Sequence, residues 1–252
     1  MSKMISKKAK LGNNIFIANN VLIEDKVVIG NNCLIGNNVI IKEGVVIGDK
    51  VSIDDNTVIG KLPMRAELSI YQNDKKIPST NIGNHCLIGA NSIIYIGARI
   101  SKHIFIADLA SVRENTVIGE FTIIGRGVTV ENYVKIGKRC KLESECYITA
   151  YSELEDYVFI APGVVTSNDN YLGRTEERFK NFKSVTVRKG GRIGGNAVIL
   201  PGKESGEDAV VEAGSVVTKD VPARKICMGA PAKVVRDVPV EQLIENQKFY
   251  VG

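Results

Sequence analysis

Two adjacent polar residues, Asn168 and Asp169, are the side chains of this sequence best suited to chemistry. They lie in the segment "VVTSNDNYLG", where amide, carboxylate and hydroxyl groups replace the aliphatic residues that precede them. Such groups can orient a substrate and accept a hydrogen bond from it. Tyr171 and Arg174 follow within a few residues and are candidates for contacts to a substrate. A solvated surface loop without function is the alternative interpretation.

Aromatic side chains recur at a fixed distance before this cluster. Tyr151 lies eighteen residues before Asp169, and Tyr133 lies eighteen residues before Tyr151. If eighteen residues form one structural repeat, the two rings stack on one face and could support a nucleotide base or a sugar ring. Packing of partly exposed tyrosines against a neighbouring molecule would explain them equally well.

The element that must position these residues is a six-residue repeat. Ile, Leu or Val recurs at every sixth position in three blocks, 5–59, 82–160 and 187–217, with Ser205 as the one exception. A period of six fits a short strand followed by a two-residue turn, and three such units close a coil of eighteen residues. The number of repeats predicts about ten coils and, at roughly 4.8 Å per coil, a column on the order of 48 Å long.

Two segments interrupt the repeat and are predicted to leave the column as loops. The first spans residues 61–81 and is rich in Lys, and the second spans residues 167–184 and contains Asn168 and Asp169. Because loops on a rigid scaffold commonly carry binding groups, the second is expected to be functional.

The hexapeptide pattern resembles that of the left-handed β-helix acyltransferases over residues 5 to about 235. Within it, "FIAPGVVTSNDNYLGR" is similar to acetyltransferases that modify amino groups of nucleotide-linked sugars, of the dTDP-3-amino-3,6-dideoxyhexose N-acetyltransferase type. The resemblance implies an all-β fold with a left-handed parallel β-helix and acetyl-CoA as cosubstrate. It also implies a dTDP- or UDP-linked amino sugar as acceptor and a role in surface glycan or lipopolysaccharide synthesis.

The same resemblance implies a homotrimer with active sites between the subunits. One outward face carries Leu87, Phe105 and Ile123 on successive coils. So apolar an exterior predicts burial against another subunit.

An amine acceptor fits the residues at the second loop. In several sugar and antibiotic acetyltransferases of the family that this sequence resembles, the equivalent loop has a His that serves as general base, whereas this sequence has Asn168 and Asp169. A sugar amine flanked by oxygens should titrate near an α-amino group, at roughly 7.7–8, so much of it is already neutral and nucleophilic. It then needs positioning more than proton removal. Asp169 would accept a hydrogen bond from the amine, Asn168 would orient a substrate, and a backbone N–H would stabilise the oxyanion.

The segments "RIGGNAVILPG" and "VVEAGSVVTKDVPARKICMGAPAKVVR" resemble the C-terminal coils in which the family holds coenzyme A. The phosphates of coenzyme A favour cations, and its pantetheine arm needs space. The candidate cofactor-binding residues are Gly195, Ala213, Gly214, Lys219, Arg224, Lys225 and Arg236.

The two histidines offer a competing centre. His85 and His103 lie eighteen residues apart, so they are expected to stack on adjacent coils. His103 remains a candidate catalytic base across a subunit interface. Catalytic zinc sites commonly use three protein ligands. Two stacked histidines do not match that pattern, and no metal is expected.

Composition limits the class of protein. The net charge of +5 is modest, and no dense run of Lys and Arg is interleaved with aromatic residues, so nucleic acid is not an expected partner. The N-terminus lacks an apolar signal segment, and no apolar run is long enough to span a membrane. An odd number of cysteines, five, suits reduced thiols, and a cytoplasmic location is expected.

Two further functions stay open besides N-acetylation: O-acetylation of a sugar or serine-like acceptor, and a non-catalytic β-helix scaffold. The predicted domains are a β-helix over residues 1–235 and a C-terminal cap over 236–252. In the cap, "VPVEQLIENQ" predicts a short helix that covers the last coil.

Overall fold

The fold class is confirmed in a computed structural model, which describes residues 4–67 and 77–248. Short parallel strands form three sheets of 11, 10 and 12 strands, here called sheets A, B and C, which wind into a β-helix consistent with the left-handed form. The column has slightly more coils than the ten predicted, because the strands at its C-terminal end continue the stack. The described part of the chain contains little helix.

The described strands and helices follow one another in chain order as a series of very short elements. They are β1 (Met4–Ile5), β2 (Lys10–Leu11), β3 (Phe16–Ile17), β4 (Leu22–Ile23), β5 (Val28–Ile29), β6 (Leu34–Ile35), β7 (Ile40–Ile41), β8 (Val46–Ile47), β9 (Ser52–Ile53), β10 (Val58–Lys61), β11 (Asn81–Ile82), β12 (Leu87–Ile88), β13 (Ile93–Tyr95), β14 (Arg99–Ile100), β15 (Phe105–Ile106), β16 (Ser111–Val112), β17 (Val117–Ile118), β18 (Ile123–Ile124), β19 (Thr129–Val130), β20 (Lys135–Ile136), β21 (Lys141–Leu142), β22 (Tyr147–Ile148), β23 (Glu153–Leu154), β24 (Phe159–Ile160), β25 (Val165–Thr166), α1 (Glu177–Lys180), β26 (Thr186–Val187), β27 (Arg192–Ile193), β28 (Val198–Ile199), β29 (Glu204–Ser205), β30 (Val210–Val211), β31 (Val216–Val217), β32 (Lys225–Met228), β33 (Lys233–Asp237), and the 3-10 turns Val240–Gln242 and Ile244–Asn246.

The core of the column is built from the repeated aliphatic residues. In sheet A, Ile23 pairs in register with Ile41, and Ile41 with Ile59, and all three are buried. The residue before each of them points outward, because side chains alternate along a strand. Each coil therefore adds one layer to a continuous apolar core, as the six-residue period predicts.

Each coil turns at three corners, and the tip of a corner usually has a positive φ. Asn20, Asn38 and Asn56 have φ of 54°, 57° and 61°. Asn tolerates this left-handed conformation better than most residues do. Their amides also form a ladder, with Nδ2 to Oδ1 distances of 3.2 and 2.9 Å between successive coils. The asparagines are therefore turn and ladder residues.

Both interruptions of the repeat leave the column at the same corner, which lies between sheets A and B. The first connects β10 to β11, and the second connects β25 to β26. The sequence predicts loops over 61–81 and 167–184, and the chain between the strands here spans residues 62–80 and 167–185. Residues 68–76 of the first loop lie outside the described residues. We call the two loops the first and second excursions.

The C-terminal segment differs from the predicted helical cap. β33 pairs antiparallel with β32 at the end of sheet C, so this strand, and not a helix, extends the sheet at the last coil. The segment after it forms only two 3-10 turns, which pack sideways: Leu243 and Val238 contact Ile226 and Val210. Leu243 has an extended backbone (φ −67°, ψ 145°) that separates the two turns, so they do not join into one helix.

All five cysteines are buried and unbridged. Burial raises the pKa of the Cys140 and Cys146 thiols to about 12, as expected for packing residues. In the described residues, no helix is long and apolar enough to cross a membrane.

Candidate functional site

The second excursion starts at the wall of the column. The Ser167 amide still donates to the Ile199 carbonyl of the next coil at 3.1 Å, and Lys183 donates to the Asn168 carbonyl at 3.2 Å. Asn168 and Lys183 thus close the base of the excursion. Asp169 is the first residue beyond that base, so it lies next to the rigid wall, as the sequence predicts.

The Asp169 carboxylate is the centre of the local hydrogen bonding. Oδ1 accepts from the Tyr171 amide at 2.9 Å, and Oδ2 accepts from the Gly173 amide at 3.0 Å and pairs with Arg178 at 2.9 Å. Burial alone would raise the pKa of this carboxyl, but these three donors outweigh it and hold the pKa below its usual range. Asp169 is therefore an anion with free lone-pair capacity mainly on Oδ1.

Arg178 on α1 is a residue that the sequence interpretation missed. Its guanidinium lies 5.5 Å from the ring centres of both Phe179 and Phe182. Its Nε is buried without a partner among the described residues. The side chains of Arg178 and Asp169 are only 22% and 15% exposed. No spacing rule links residues 169 and 178, because irregular loops have no period from which the contact could be read.

The predicted tyrosine stack is present beneath the excursion. Tyr133 and Tyr151 occupy successive tips of the A–B corner, with ring centres 5.1 Å apart and planes within 2°. Both rings are about two-fifths exposed. The other predicted substrate contacts, Tyr171 and Arg174, lie further out on the exposed part of the excursion. The structure thus gathers Asn168, Asp169 and the two stacked rings on one corner.

His103 does not belong to this group within one chain. It lies on the corner between sheets B and C, stacked on His85 and Phe121 with ring centres 4.7 Å apart in each case. It also lies more than three coils before Asp169, which is roughly 14 Å or more along the column. Ring stacking accounts for both histidines, and the described residues hold no group of three metal-binding side chains.

The predicted coenzyme A residues are distributed over all three corners. Gly195, Ala213 and Gly214 lie on the corner between sheets C and A, whereas Lys219 lies on the A–B corner above the second excursion. A Cβ built on Gly214 would meet no atom within 4 Å, so this corner does offer open space.

The remaining cations lie at the end of sheet C and at the B–C corner. Arg224 pairs with Glu245 at 3.3 Å, and Lys225 forms a short contact with Asp237. Arg236 lies on the exposed strand β33. A single chain therefore does not assemble these seven residues into one site. The resemblance selects residues by their place in the sequence, and residues close in sequence can lie on different corners of the column.

Models of hexapeptide repeats match four parts of the chain. The family described as "Bacterial transferase hexapeptide (six repeats)" matches residues 8–43 and 26–61. The family described as "Hexapeptide repeat of succinyl-transferase" matches residues 80–103 and 185–219. The chain thus carries the repeats of hexapeptide transferases.

Curated relatives include acetyltransferases. The chain is 32% identical over 160 residues to a serine acetyltransferase of Buchnera aphidicola subsp. Acyrthosiphon pisum (strain APS), covering 62% of this chain and 47% of that protein. It is 28% identical over 175 residues to the bifunctional protein GlmU of Rubrobacter xylanophilus (strain DSM 9941 / JCM 11954 / NBRC 16129 / PRD-1), covering 64% and 35%. The chain therefore spans only about a third to a half of the length of these two relatives.

A solved structure agrees in fold. LpxA, a UDP-N-acetylglucosamine acyltransferase from Bacteroides fragilis 9343, superposes with a TM-score of 0.53 at 20% identity, covering 93% of this chain and 72% of that one. At this identity the likeness concerns the fold alone.

Proposed function

We propose that this hexapeptide-repeat chain, a homologue of acetyltransferases, is an acetyl-CoA-dependent N-acetyltransferase of a dTDP- or UDP-linked amino sugar in surface glycan synthesis. The observation that carries the proposal is the Asn168–Asp169 pair at the base of the second excursion. There an ionised carboxylate is fixed by three donors beside the column wall. The acetyltransferase relatives support acetyl-CoA as the cosubstrate.

The proposed reaction is direct attack of the amine on the thioester. The amine nitrogen forms a bond to the thioester carbonyl carbon, and the carbon–sulfur bond then breaks. The departing thiolate of coenzyme A takes up the proton that the nitrogen loses, so the products are an amide and a thiol. No strong base is needed, because much of such an amine is neutral near pH 8.

Asp169 acts on the charge of the amine in this scheme. As nitrogen attacks, it becomes positive, and the carboxylate stabilises that charge through the free lone pair of Oδ1. Because its pKa is low, Asp169 stays ionised and does not itself remove the proton. Asn168 orients the acceptor or the thioester from the wall of the column.

The scatter of cofactor candidates over three corners supports a site shared between chains. Open space at Gly214 and a cation at Lys219 lie on different corners of one chain. In a homotrimer, corners of neighbouring chains can face each other and complete one site. We therefore propose that coenzyme A binds between subunits.

The test is release of free thiol from acetyl-CoA by the purified chain with a panel of nucleotide-linked amino sugars. Thiol release with amino sugars, lost by at least about 10-fold in Asp169→Ala with the column still folded, is the expected result. Release only with hydroxyl acceptors would replace the proposal by O-acetylation. No release with any acceptor would favour the scaffold. Full activity of Asp169→Ala together with loss in His103→Ala would move the centre to the histidine.

A further inference from the structure

The A–B corner between the two excursions forms a continuous strip of polar and aromatic side chains. The corner tips between the excursions are Gly97, Asn115, Tyr133 and Tyr151. Five coil spacings of roughly 4.8 Å separate the two excursions, so the strip is about 24 Å long. We call it the corner strip. Its upper end is the base of the second excursion, and its lower end is the base of the first.

Asn132 supplies an amide side chain to the strip. It lies two coils below Asn168 in the same corner position and is only 6% exposed. Its amide is not among the fully buried polar atoms that lack a partner, so the part that remains accessible faces the surface of the strip. An amide at such a position can donate and accept hydrogen bonds with a ligand or water.

Arg113 forms a second polar centre one coil lower. Its Nε and Nη2 donate to the two oxygens of the buried Glu114 at 2.8 and 3.1 Å, which fixes the plane of the guanidinium. Its Nη1 reaches Glu131 only at 3.5 Å. That nitrogen retains most of its capacity for a stronger acceptor, because a hydrogen bond at this distance is weak.

Below Arg113 the strip ends in an aromatic ring between two cations. The guanidinium carbon of Arg113 lies 4.8 Å from the centre of the Tyr95 ring, and Lys61 Nζ lies 5.8 Å from it. A diphosphate that lies beside the Tyr95 ring could contact both cations, and Arg is suited to planar recognition of phosphate oxygens.

We propose that the corner strip binds the acceptor lengthwise, with its nucleoside end toward the first excursion. The sugar ring lies on Tyr133 and Tyr151, a sugar hydroxyl forms a hydrogen bond with Asn132, and the diphosphate lies beside the Tyr95 ring in contact with Arg113 and Lys61. This arrangement brings the amine to Asp169 and places the nucleoside beyond Lys61, at the first excursion. The inference rests on the proposed function, because it takes its ligand class from it.

The experiment is calorimetric titration without acetyl-CoA, with UDP, dTDP and a UDP-linked amino sugar as probes. Asn132→Ala should weaken the amino sugar nucleotide about 3- to 10-fold, as for loss of one hydrogen bond, and leave UDP and dTDP unchanged. Lys61→Gln should weaken all three probes and lower their dependence on salt.

The stacked rings have a matched control on another corner. Tyr133 and Tyr157 have φ of 60° and 62°, so Asn fits either backbone without strain. Tyr133→Asn should weaken the amino sugar nucleotide roughly 5-fold or more through lost stacking, whereas Tyr157→Asn should not. Thermal unfolding of each variant shows that the column remains folded.

Three outcomes overturn the inference: no probe binds the unchanged chain, Asn132→Ala and Tyr133→Asn bind like it, or Tyr157→Asn loses as much as Tyr133→Asn. These outcomes are distinct from failure of the proposed function. If the variants bind normally and the chain still releases thiol, the corner-strip inference is wrong and the proposed N-acetyltransferase activity stands. If binding is selective but no thiol is released, the corner-strip inference stands and the proposed activity is wrong.

Discussion

At the scale of single residues, the chemistry depends on how Asp169 is held. Its three donors leave it ionised and keep one lone pair free, which suits stabilisation of a developing cation and not proton removal. Its folded pKa lies below the ordinary value of about 3.9, so its contacts favour the folded excursion above that value. That contribution is lost only as the pH falls through the lower, folded pKa.

Arg178 is expected to act as a positioning residue for Asp169. Arg178→Gln should lower kcat by about 10-fold and leave KM for acetyl-CoA unchanged, because it frees the carboxylate without touching the proposed cofactor site. In the unchanged chain kcat/KM should rise with pH through the titration of the substrate amine, with no acid limb from Asp169 between about pH 5 and 7. Arg178→Gln should move the titration of Asp169 upward, since one of the groups that lower its pKa is gone.

The measurement is a pH profile of both variants, and Arg178→Lys is the conservative control. Lys keeps the charge but lacks the planar fork of Arg, so it should restore part of the rate. A pH profile unchanged by Arg178→Gln would show that the pair has only a structural role.

At the scale of elements, the strands before and after the second excursion pair in the regular register of the column. The excursion is therefore an insertion that leaves this pairing unchanged. Glu153 and Leu154 pair with Thr186 and Val187 across the excursion, in the same parallel register as pairs elsewhere in the sheet. The regular spacing between such partners is eighteen residues, as between Asn20 and Asn38.

Removal of residues 169–183, with Ser184→Asn at the new corner tip, should therefore leave a folded column. Asn suits the left-handed conformation that the shortened corner requires. The expected result is a far-ultraviolet spectrum and melting temperature close to those of the full chain, together with complete loss of thiol release. Deletion of residues 169–182 is the control, because it leaves one extra residue in the corner. If both deletions unfolded the protein, the excursion would be part of the structural core.

The six-residue period predicts the elements well and the site only in part. Ile23, Ile41 and the stacked Tyr133 and Tyr151 follow from spacing alone, because register repeats every coil. The same spacing, carried down from Asn168, also leads to Asn132. In contrast, the Asp169–Arg178 pair depends on how an irregular loop folds back, and the β32–β33 hairpin replaces a predicted helix. Neither has a period in the sequence.

At the scale of the whole molecule, one outer face of the column remains apolar. Leu87 and Phe105 on sheet C are exposed, as the sequence predicts. This apolar face continues further toward the N-terminus than the sequence predicts, through Leu34 to Phe16. These side chains line a shallow depression of about 420 Å³. We propose that this face of sheet C lies at the subunit interface of a homotrimer.

Leu87→Glu should dissociate that trimer, because a buried unpaired carboxylate at the interface is costly. Val117→Glu is the matched control: Val117 is also an exposed aliphatic residue on an outward strand position, but it lies on sheet B. Sedimentation velocity should give a trimer for the unchanged chain and for Val117→Glu, and a smaller species for Leu87→Glu. A monomeric unchanged chain, or dissociation by both variants alike, would contradict the assignment of this face.

The common corner of the two excursions has a consequence for how such proteins can diverge. Because coils stack at one fixed interval, the distance between the excursions changes only in whole steps, through gain or loss of a complete coil in the gene. A duplication of eighteen codons between them would lengthen the corner strip by one step while every other contact in the column keeps its register. The length of the corner strip is thus set by the number of coils between the excursions. Descendants of one ancestral protein that differ in this number could bind acceptors of different lengths.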